Sequence, residues 1–272
     1  MYKLAVLAVV KNNASILKEW VEHYLAEGVE HIYLVDNRST DDTFEVMGVY
    51  KDYVTIIKSG LSKLPNVPGS LLNNIYINRV KCECEWVMFA NPDEYFYSRN
   101  SRFWQLPQVL QKLDDSVEKV WVPRVYFGPN GYIEQPTEVV KSFIKRQELT
   151  DIVIGKNGRV ICRTEHLVKI ENEGENVELS QNNLYYLCNG QRADKFKFTE
   201  KAFSRLDIHM NAYMPMSKEY YESRAQMKFG KDTPDYIKAM EMFDVYSLEF
   251  DKVEDVELAF KLYTYNPEVY NT

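Results

Sequence analysis

Near its start the chain carries seven apolar residues in a row, Leu4 to Val10 (LAVLAVV), ending in β-branched side chains. An uninterrupted run of that length predicts a strand buried on both faces, as in a parallel sheet. Lys11-Asn12-Asn13 breaks it. Leu17, Trp20, Val21, Tyr24 and Leu25 then recur at helical spacing, with Asn12 or Asn13 placed as N-cap and Gly28 as the residue that ends the helix. His31 to Val35 (HIYLV) reads as the next strand, stopped by the polar run Asp36 to Asp42. Thr43 to Tyr50 reads as helix and Val54 to Lys58 as a short strand. This β-α-β-α-β alternation predicts an α/β chain with an open parallel sheet and right-handed crossovers.

Further on, Pro65 to Gly69 reads as a loop and Leu71 to Glu85 as a helix. Trp86 to Ala90 (WVMFA) reads as a buried strand followed at once by Asn91-Pro92-Asp93-Glu94. Phe103 to Leu113 reads as helix, Lys119 to Phe127 as strand, and Gly128-Pro129-Asn130-Gly131 as a turn. Val160 to Cys162, Val168 to Ile170 and Leu184 to Leu187 are weaker strand signals, and Tyr220 to Glu249 and Val256 to Tyr263 read as acidic helices.

Composition narrows the class. With 272 residues, 45% hydrophobic and 27% charged, the chain is ordinary globular material: one large domain, or one domain with an appendage. A net charge of −7 with scattered Lys and Arg disfavours a nucleic-acid partner. The 4 cysteines (Cys82, Cys84, Cys162, Cys188) are too few for a disulfide scaffold, and Cys82-Glu83-Cys84 is not a metal-binding spacing, so free thiols in a reducing compartment are expected. No apolar run approaches the ~20 residues that span a bilayer, and Met1 leads straight into a strand-like segment. The expectation is a soluble cytoplasmic protein, at most peripheral to a membrane. The 20 Tyr and 13 Phe fit an aromatic core and are compatible with sugar stacking.

In open α/β sheets, ligands bind beyond the carboxyl ends of the strands. Three polar clusters hold that position here: Lys11-Asn12-Asn13, Asp36 to Asp41, and Asn91 to Glu94. If their strands are parallel neighbours, the clusters converge on one rim, where helix N-termini would add N–H groups for anions. The first βα turn lacks GxGxxG, which disfavours a dinucleotide site. Asp36-Asn37 also fits a plain Asx turn with Ser39 or Thr40 capping the next helix, and Asn91 to Glu94 a plain turn. Paired acids at a buried strand end resemble a hard-cation site, with Mn²⁺ or Mg²⁺ bridging them to a diphosphate.

Several segments, in order, resemble glycosyltransferase family 92 and related family 2-like enzymes. The first is Lys11-Asn12-Asn13, Leu17-Lys18-Glu19-Trp20, Gly28 to Tyr33, and Asp36-Asn37-Arg38-Ser39-Thr40-Asp41. Trp86 to Tyr95 (WVMFANPDEY) is similar to the family's W-x-x-x-x-D-x-D-E-F segment. Phe127 to Tyr132 with Pro136, Ser142-Phe143 and Arg146 resembles its FGSSGH…P…RF..R block, and Asn211-Ala212-Tyr213 with Ser217-Lys218-Glu219 its NHY..KS block. The resemblance covers residues 3–225. It implies a GT-A (Rossmann-like) fold, with a mixed, mostly parallel sheet flanked by helices, and inverting transfer of a hexose from a nucleotide sugar, usually UDP-linked, to a glycan or other hydroxyl acceptor. The catalytic domain would then run over 1–217, with 218–272 a helical extension packed on it.

On that reading Lys11, Asn12, Asn13, Asp36, Asn37, Ser39, Asp41, Gly128, Asn130 and Gly131 hold the donor. Asp93, Asn91 and His209 are the metal candidates, and Glu134, Glu94 and Asp194 the candidate bases. Arg146, Lys156 and Arg163 could hold phosphate or pair with surface acids, and His31 and His166 read as structural. The chain departs from the family at Asn13 (Glu), His23-Tyr24 (the reverse order), Asn91 (the first acid of D-x-D) and Ala212 (His). Two other readings stay open: a non-catalytic sugar-nucleotide binding module, motivated by Asn91 and Ala212, and a nucleotidyltransferase, which would usually carry a Gly-rich basic loop after the first strand.

Overall fold

The computed structural model describes residues 1–59, 76–99, 104–149, 157–171, 174–195 and 199–265. The chain divides into two compact units, Met1–Arg124 with Thr150–Met210, and Val125–Leu149 with Asn211–Thr272.

The central sheet is built on strands β1 (Tyr2–Val10), β2 (His31–Asp36), β3 (Val54–Lys58), β4 (Cys84–Phe89), β5 (Glu94–Ser98), β6 (Lys119–Tyr126), β8 (Gly158–Arg163) and β11 (Ile208–Ala212), with β6 and β11 ending just past the first unit's bounds. They form an eight-stranded sheet in the order β3-β2-β1-β4-β8-β6-β11-β5. β1 to β4 pair in parallel, and β8 runs antiparallel to both β4 and β6, so the sheet is mixed and mostly parallel, as expected. Helices α1 (Ala14–Ala26) and α2 (Thr43–Gly48) follow β1 and β2. α1 buries Leu17, Trp20, Val21 and Tyr24 of the predicted stripe completely, together with Ile16, while Leu25 is only half-buried. Gly28 follows it at φ +83°, a left-handed turn that glycine adopts without penalty.

Several elements differ from the sequence reading. The helix expected over Leu71 to Glu85 is α3 (Ile77–Glu83); its first residues, and the Pro65 to Gly69 loop, lie outside the described residues. Cys84 and Glu85 instead open β4, because β1 reaches back to Tyr2 and Cys84 pairs opposite it. Phe103 to Leu113 contains only α4 (Leu106–Leu110). Leu184 to Leu187 makes isolated bridges at Tyr186 but no strand. β5 and β11 were not anticipated. Both are buried at every position, so neither shows alternation. A hairpin of β9 (Leu167–Glu171) and β10 (Asn176–Leu179) and a short α6 (Glu200–Phe203) complete this unit.

In the second unit, α5 (Val139–Ser142) precedes β7 (Lys145–Arg146), which pairs antiparallel with β12 (Val253–Glu254). The long helix expected over Tyr220 to Glu249 is two, α7 (Lys218–Phe229) and α8 (Pro234–Phe250). Gly230 at φ +79° ends the first; Thr233 Oγ1 accepts the Tyr236 N–H (3.2 Å) and Pro234 opens the second. α9 (Glu257–Tyr265) ends the described chain. Among the described residues no helix is long and apolar enough to cross a membrane.

Candidate functional site

Val10 of β1 pairs with Asp36 of β2, and Leu7 with Phe89 of β4, so the loops after all three strands leave the same edge of the sheet. The first two are laced together. Thr40 N donates to Asn12 Oδ1 (2.7 Å), and Thr43 bonds Asp41 Oδ1 through both N (3.1 Å) and Oγ1 (2.5 Å). Four consecutive N–H groups of the first turn are taken up by side chains: Lys11 N by Asn13 Oδ1 (2.8 Å), Asn12 N by Ser39 Oγ (2.9 Å), Asn13 N by Thr43 Oγ1 (3.1 Å) and Ala14 N by Asp41 Oδ2 (3.0 Å). Of the N–H groups at the start of α1, where an anion cradle was expected, that of Ala14 is taken by the chain's own Asp41, whose carboxylate suits the positive end of the helix. Asn13 stands at the N-cap position, yet its side chain caps nothing in α1.

Asp36 is buried; its Oδ1 accepts the Ser39 N–H (3.1 Å) and its carbonyl the Ser59 N–H (2.9 Å). Asn37 N donates to the Val10 carbonyl (2.8 Å), and the linking Arg38 lies at φ +62°. The Asx-type turn is present, then, and it fixes Asp36, Asn37 and Ser39 at the rim.

The third loop is a closed turn. Glu94 N donates to the Asn91 carbonyl (2.9 Å), and Asn91 N to Glu94 Oε2 (2.8 Å). α1 holds the turn from outside: Trp20 Nε1 donates to the carbonyls of Asn91 (2.9 Å) and Glu94 (3.0 Å), and Tyr24 Oη donates to Glu94 O (2.8 Å). His23 Nε2 faces Phe96 O (2.7 Å). Glu94 itself is buried between two guanidinium groups. Its Oε1 accepts from Arg124 Nε (2.8 Å) and Arg159 Nε (3.1 Å), and Oε2 from Arg159 Nε (2.8 Å); Arg124 also pairs with Glu175 (3.2 Å).

The adjacent acids diverge. Burial pushes Asp93 up to about 6, the Glu94 charge adds to this, and Arg124 and Arg159 only partly offset it. Burial also raises Glu94, but Arg159, Arg124 and the Asn91 N–H outweigh it and hold its carboxyl below the usual range. A carboxylate held that way is a poor proton acceptor, so Glu94 fits an anchoring role better than that of a base.

Of the metal candidates, Asp93 and Asn91 lie in this turn, while His209 is buried, with Nε2 facing Phe203 O (3.0 Å) and its ring 3.9 Å from that of Phe203. Among the described residues no three His, Cys, Asp or Glu side chains are grouped to hold a metal ion. What the turn does supply is hard oxygen donors, an amide and a half-buried carboxylate whose charge is incompletely answered. Those fit a divalent cation whose remaining ligands come from a bound diphosphate.

In the second unit, the Gly128 to Gly131 turn is held by its own asparagine. Asn130, at φ +50°, donates through Nδ2 to Gly128 O (2.8 Å) and Asp251 Oδ1 (2.8 Å); its Oδ1 accepts from Ile144 N and Lys145 N (both 2.8 Å). A Cβ on Gly128 would lie 2.2 Å from Asp251 Oδ1, so only glycine fits there. Tyr132, Ile133 and Glu134 beyond the turn are exposed.

Arg146 pairs with Asp255 (2.7 Å), Arg163 with Glu85 (3.4 Å), and Asp194 with Arg192 (2.8 Å); Lys156 lies outside the described residues. His31 is buried against Thr55 Oγ1 (2.8 Å) and His166 faces Glu118 (3.7 Å). Sequence reading passed over Arg124, Arg159 and Asp251. The two arginines stand in runs otherwise apolar, VPRVY and GRVIC, and a charged residue inside a buried strand signals a buried partner.

Residues 4–178 match the description Glycosyltransferase family 92. A family 92 protein of Ricinus communis is 26% identical over 142 residues, which is 51% of this chain and 25% of the relative; the match spans about a quarter of the length of the curated relatives. Among solved structures, residues 1–349 of Staphylococcus aureus TarS, also crystallised with UDP, are 15% identical with a TM-score of 0.40, over 98% of this chain and 74% of that one. Glucosyl-3-phosphoglycerate synthase of Mycobacterium tuberculosis, crystallised with Mn²⁺, UDP and glucosyl-3-phosphoglycerate, is 13% identical with a TM-score of 0.34, over 61% and 58%. With residues 4–178 matched, well over half of its length, the chain, built on a mixed, mostly parallel sheet, belongs to glycosyltransferase family 92.

Proposed function

We propose that this chain is a glycosyltransferase that moves a hexose from a nucleotide sugar, a UDP-hexose, to a hydroxyl of a glycan acceptor, with inversion and with a divalent cation on the diphosphate. The observation that carries the reading is Asp93, a half-buried carboxylate beside Asn91 on the same sheet edge as the buried Asp36. Asp36, Asn37 and Ser39 would hold the nucleoside, with Lys11 to Asn13 bracing that loop. Asp93 and Asn91 would hold Mn²⁺ or Mg²⁺, which when bound neutralises charge building on the leaving diphosphate. With Glu94 engaged by two arginines and Asp194 by Arg192, Glu134 is our candidate for the base that takes the acceptor proton.

The test is release of UDP from a panel of UDP-hexoses, with Mn²⁺ and with EDTA. Metal-dependent release that Asp93→Ala abolishes and Glu134→Gln lowers by at least about 100-fold, the lower end of the usual range for a general base, supports the reading. Tight UDP binding without release from any donor would favour the binding module, for which Asn91 in place of an acid is the motivating residue.

A further inference from the structure

The Arg124, Arg159 and Glu94 cluster is larger than a turn of four residues needs. The Asn91 to Glu94 turn already has a backbone hydrogen bond, Glu94 N to Asn91 O (2.9 Å), and outer support from Trp20 and Tyr24. Two arginines from β6 and β8 are nevertheless buried on one carboxylate, and the side chains of Glu94 and Arg159 are each only 3% exposed. Burying a carboxylate and two guanidinium groups is costly, and such clusters are weak contributors to stability alone. What this one does is directional. Oε2 of Glu94 accepts the Asn91 N–H (2.8 Å) on one side and Arg159 Nε (2.8 Å) on the other. The position of the Asn91 backbone is thereby tied through Glu94 to the sheet. Asp93 feels both arginines only at longer range: the close ion pairs of Arg124 and Arg159 are made to Glu94.

We propose that Arg159 and Arg124, acting through Glu94, are positioning residues that set the Asn91 to Asp93 turn for a divalent cation and its diphosphate. This rests on the transferase reading above. Of the two neighbouring acids, Glu94 is saturated by arginine and locks the backbone, while Asp93 is kept for the cation. The assignment separates geometry from charge. Glu94→Asp keeps the charge but shortens the reach by one methylene, so the carboxylate cannot serve Asn91 N and the guanidinium groups together. Arg159→Lys keeps the charge but loses the planar fork.

The experiment is calorimetric titration of UDP into wild type, Glu94→Asp and Arg159→Lys, each with and without Mn²⁺, with near-UV circular dichroism and Tm to confirm folding. The expected result is a loss of roughly 10- to 100-fold in the Mn²⁺-dependent part of UDP affinity, the size seen when partners of metal ligands are removed. Metal-free UDP affinity should stay within about twofold of wild type, a margin near 0.4 kcal/mol. Folded variants that bind Mn²⁺ and UDP as wild type does would overturn the proposal. So would an equal loss with and without metal, which marks general disruption. Arg124→Lys, at the edge of the cluster where the side chain is 10% exposed, carries the same test if the other two do not fold. A wild-type protein that binds no UDP at all would overturn the transferase reading itself, an outcome distinct from the other two.

Discussion

In the Asn91 to Glu94 turn of the first unit, the anchoring acid lies three residues on and is neutralised by Arg124 and Arg159. In the Gly128 to Gly131 turn of the second unit it comes from 121 residues away: Asp251 takes both the N–H (3.2 Å) and the side-chain amide of Asn130. Both turns are fixed by a carboxylate on an asparagine, yet only the first leaves an acid over. Asp93 sits inside its turn with its charge incompletely answered, whereas every polar group of the Asn130 side chain is bonded within the second unit. The first turn presents charge and the second presents shape. Gly128 and Asn130, assigned to donor binding from the resemblance, are engaged within the turn itself, while Tyr132, Ile133 and Glu134 beyond it are exposed.

The contrast can be broken most forcefully at Arg159. Arg159→Met breaks one of the two buried ion pairs of Glu94, leaving Arg124 alone to answer its charge, and should cost about 3 kcal/mol, read as a fall of roughly 10 °C in Tm. In the second unit, Gly128→Ala forces a Cβ onto Asp251 and within 3.1 Å of the Phe250 backbone. It should cost about 1–3 kcal/mol. Chemical denaturation of Gly128→Ala, Asp251→Ala and the double variant should show strong non-additivity, because the second change removes the atom in the way; simple additivity would mean the clash is relieved elsewhere.

Asn130→Gly keeps the left-handed backbone and loses the amide bonds, so it should cost about 1 kcal/mol; a loss as large as that of Arg159→Met would erase the distinction between the turns. The smallest effect sharpens it. Asp93 titrates higher in the fold than its ordinary value, so its ionised form destabilises, and stability declines as pH rises toward about 6. Asp93→Asn should therefore stabilise the metal-free protein by ~1 kcal/mol at pH 8, scaled down for a half-buried group. The gain should fade as pH falls to the ordinary carboxylate range. Glu94 works in the opposite sense: its contribution is present above that range and lost as pH falls through its lowered value. Thermal melts of both proteins across pH check the pair of signs.

The β-α-β-α-β opening was legible because each step has its own local signal: the LAVLAVV run, the Leu17 to Leu25 stripe, Gly28 and the polar stop after Val35. The break at Gly230 was missed: Gly230 and Thr233-Pro234 carry the stop and start signals, but the acidic run across them read as one helix. β5 was hidden because EYFYS follows directly on a polar turn and is buried on both faces. The site was legible as three strand-end clusters and illegible as a network. Nothing local in the sequence joins Glu94 to Arg124, 30 residues on, or to Arg159, 65 residues on. Nor does anything local place Asp41 at the start of α1, where it takes the N–H group that a phosphate would otherwise use.

The most direct test of the account is UDP affinity with and without Mn²⁺ for wild type and Asp93→Asn, measured by calorimetry from pH 5 to 8. The account predicts that Mn²⁺ tightens UDP binding to wild type. That gain should fall away below about pH 6 as Asp93 takes up a proton. It should be missing from Asp93→Asn at every pH while metal-free UDP affinity is unchanged. An Asp93→Asn protein that keeps the full Mn²⁺ effect would contradict it.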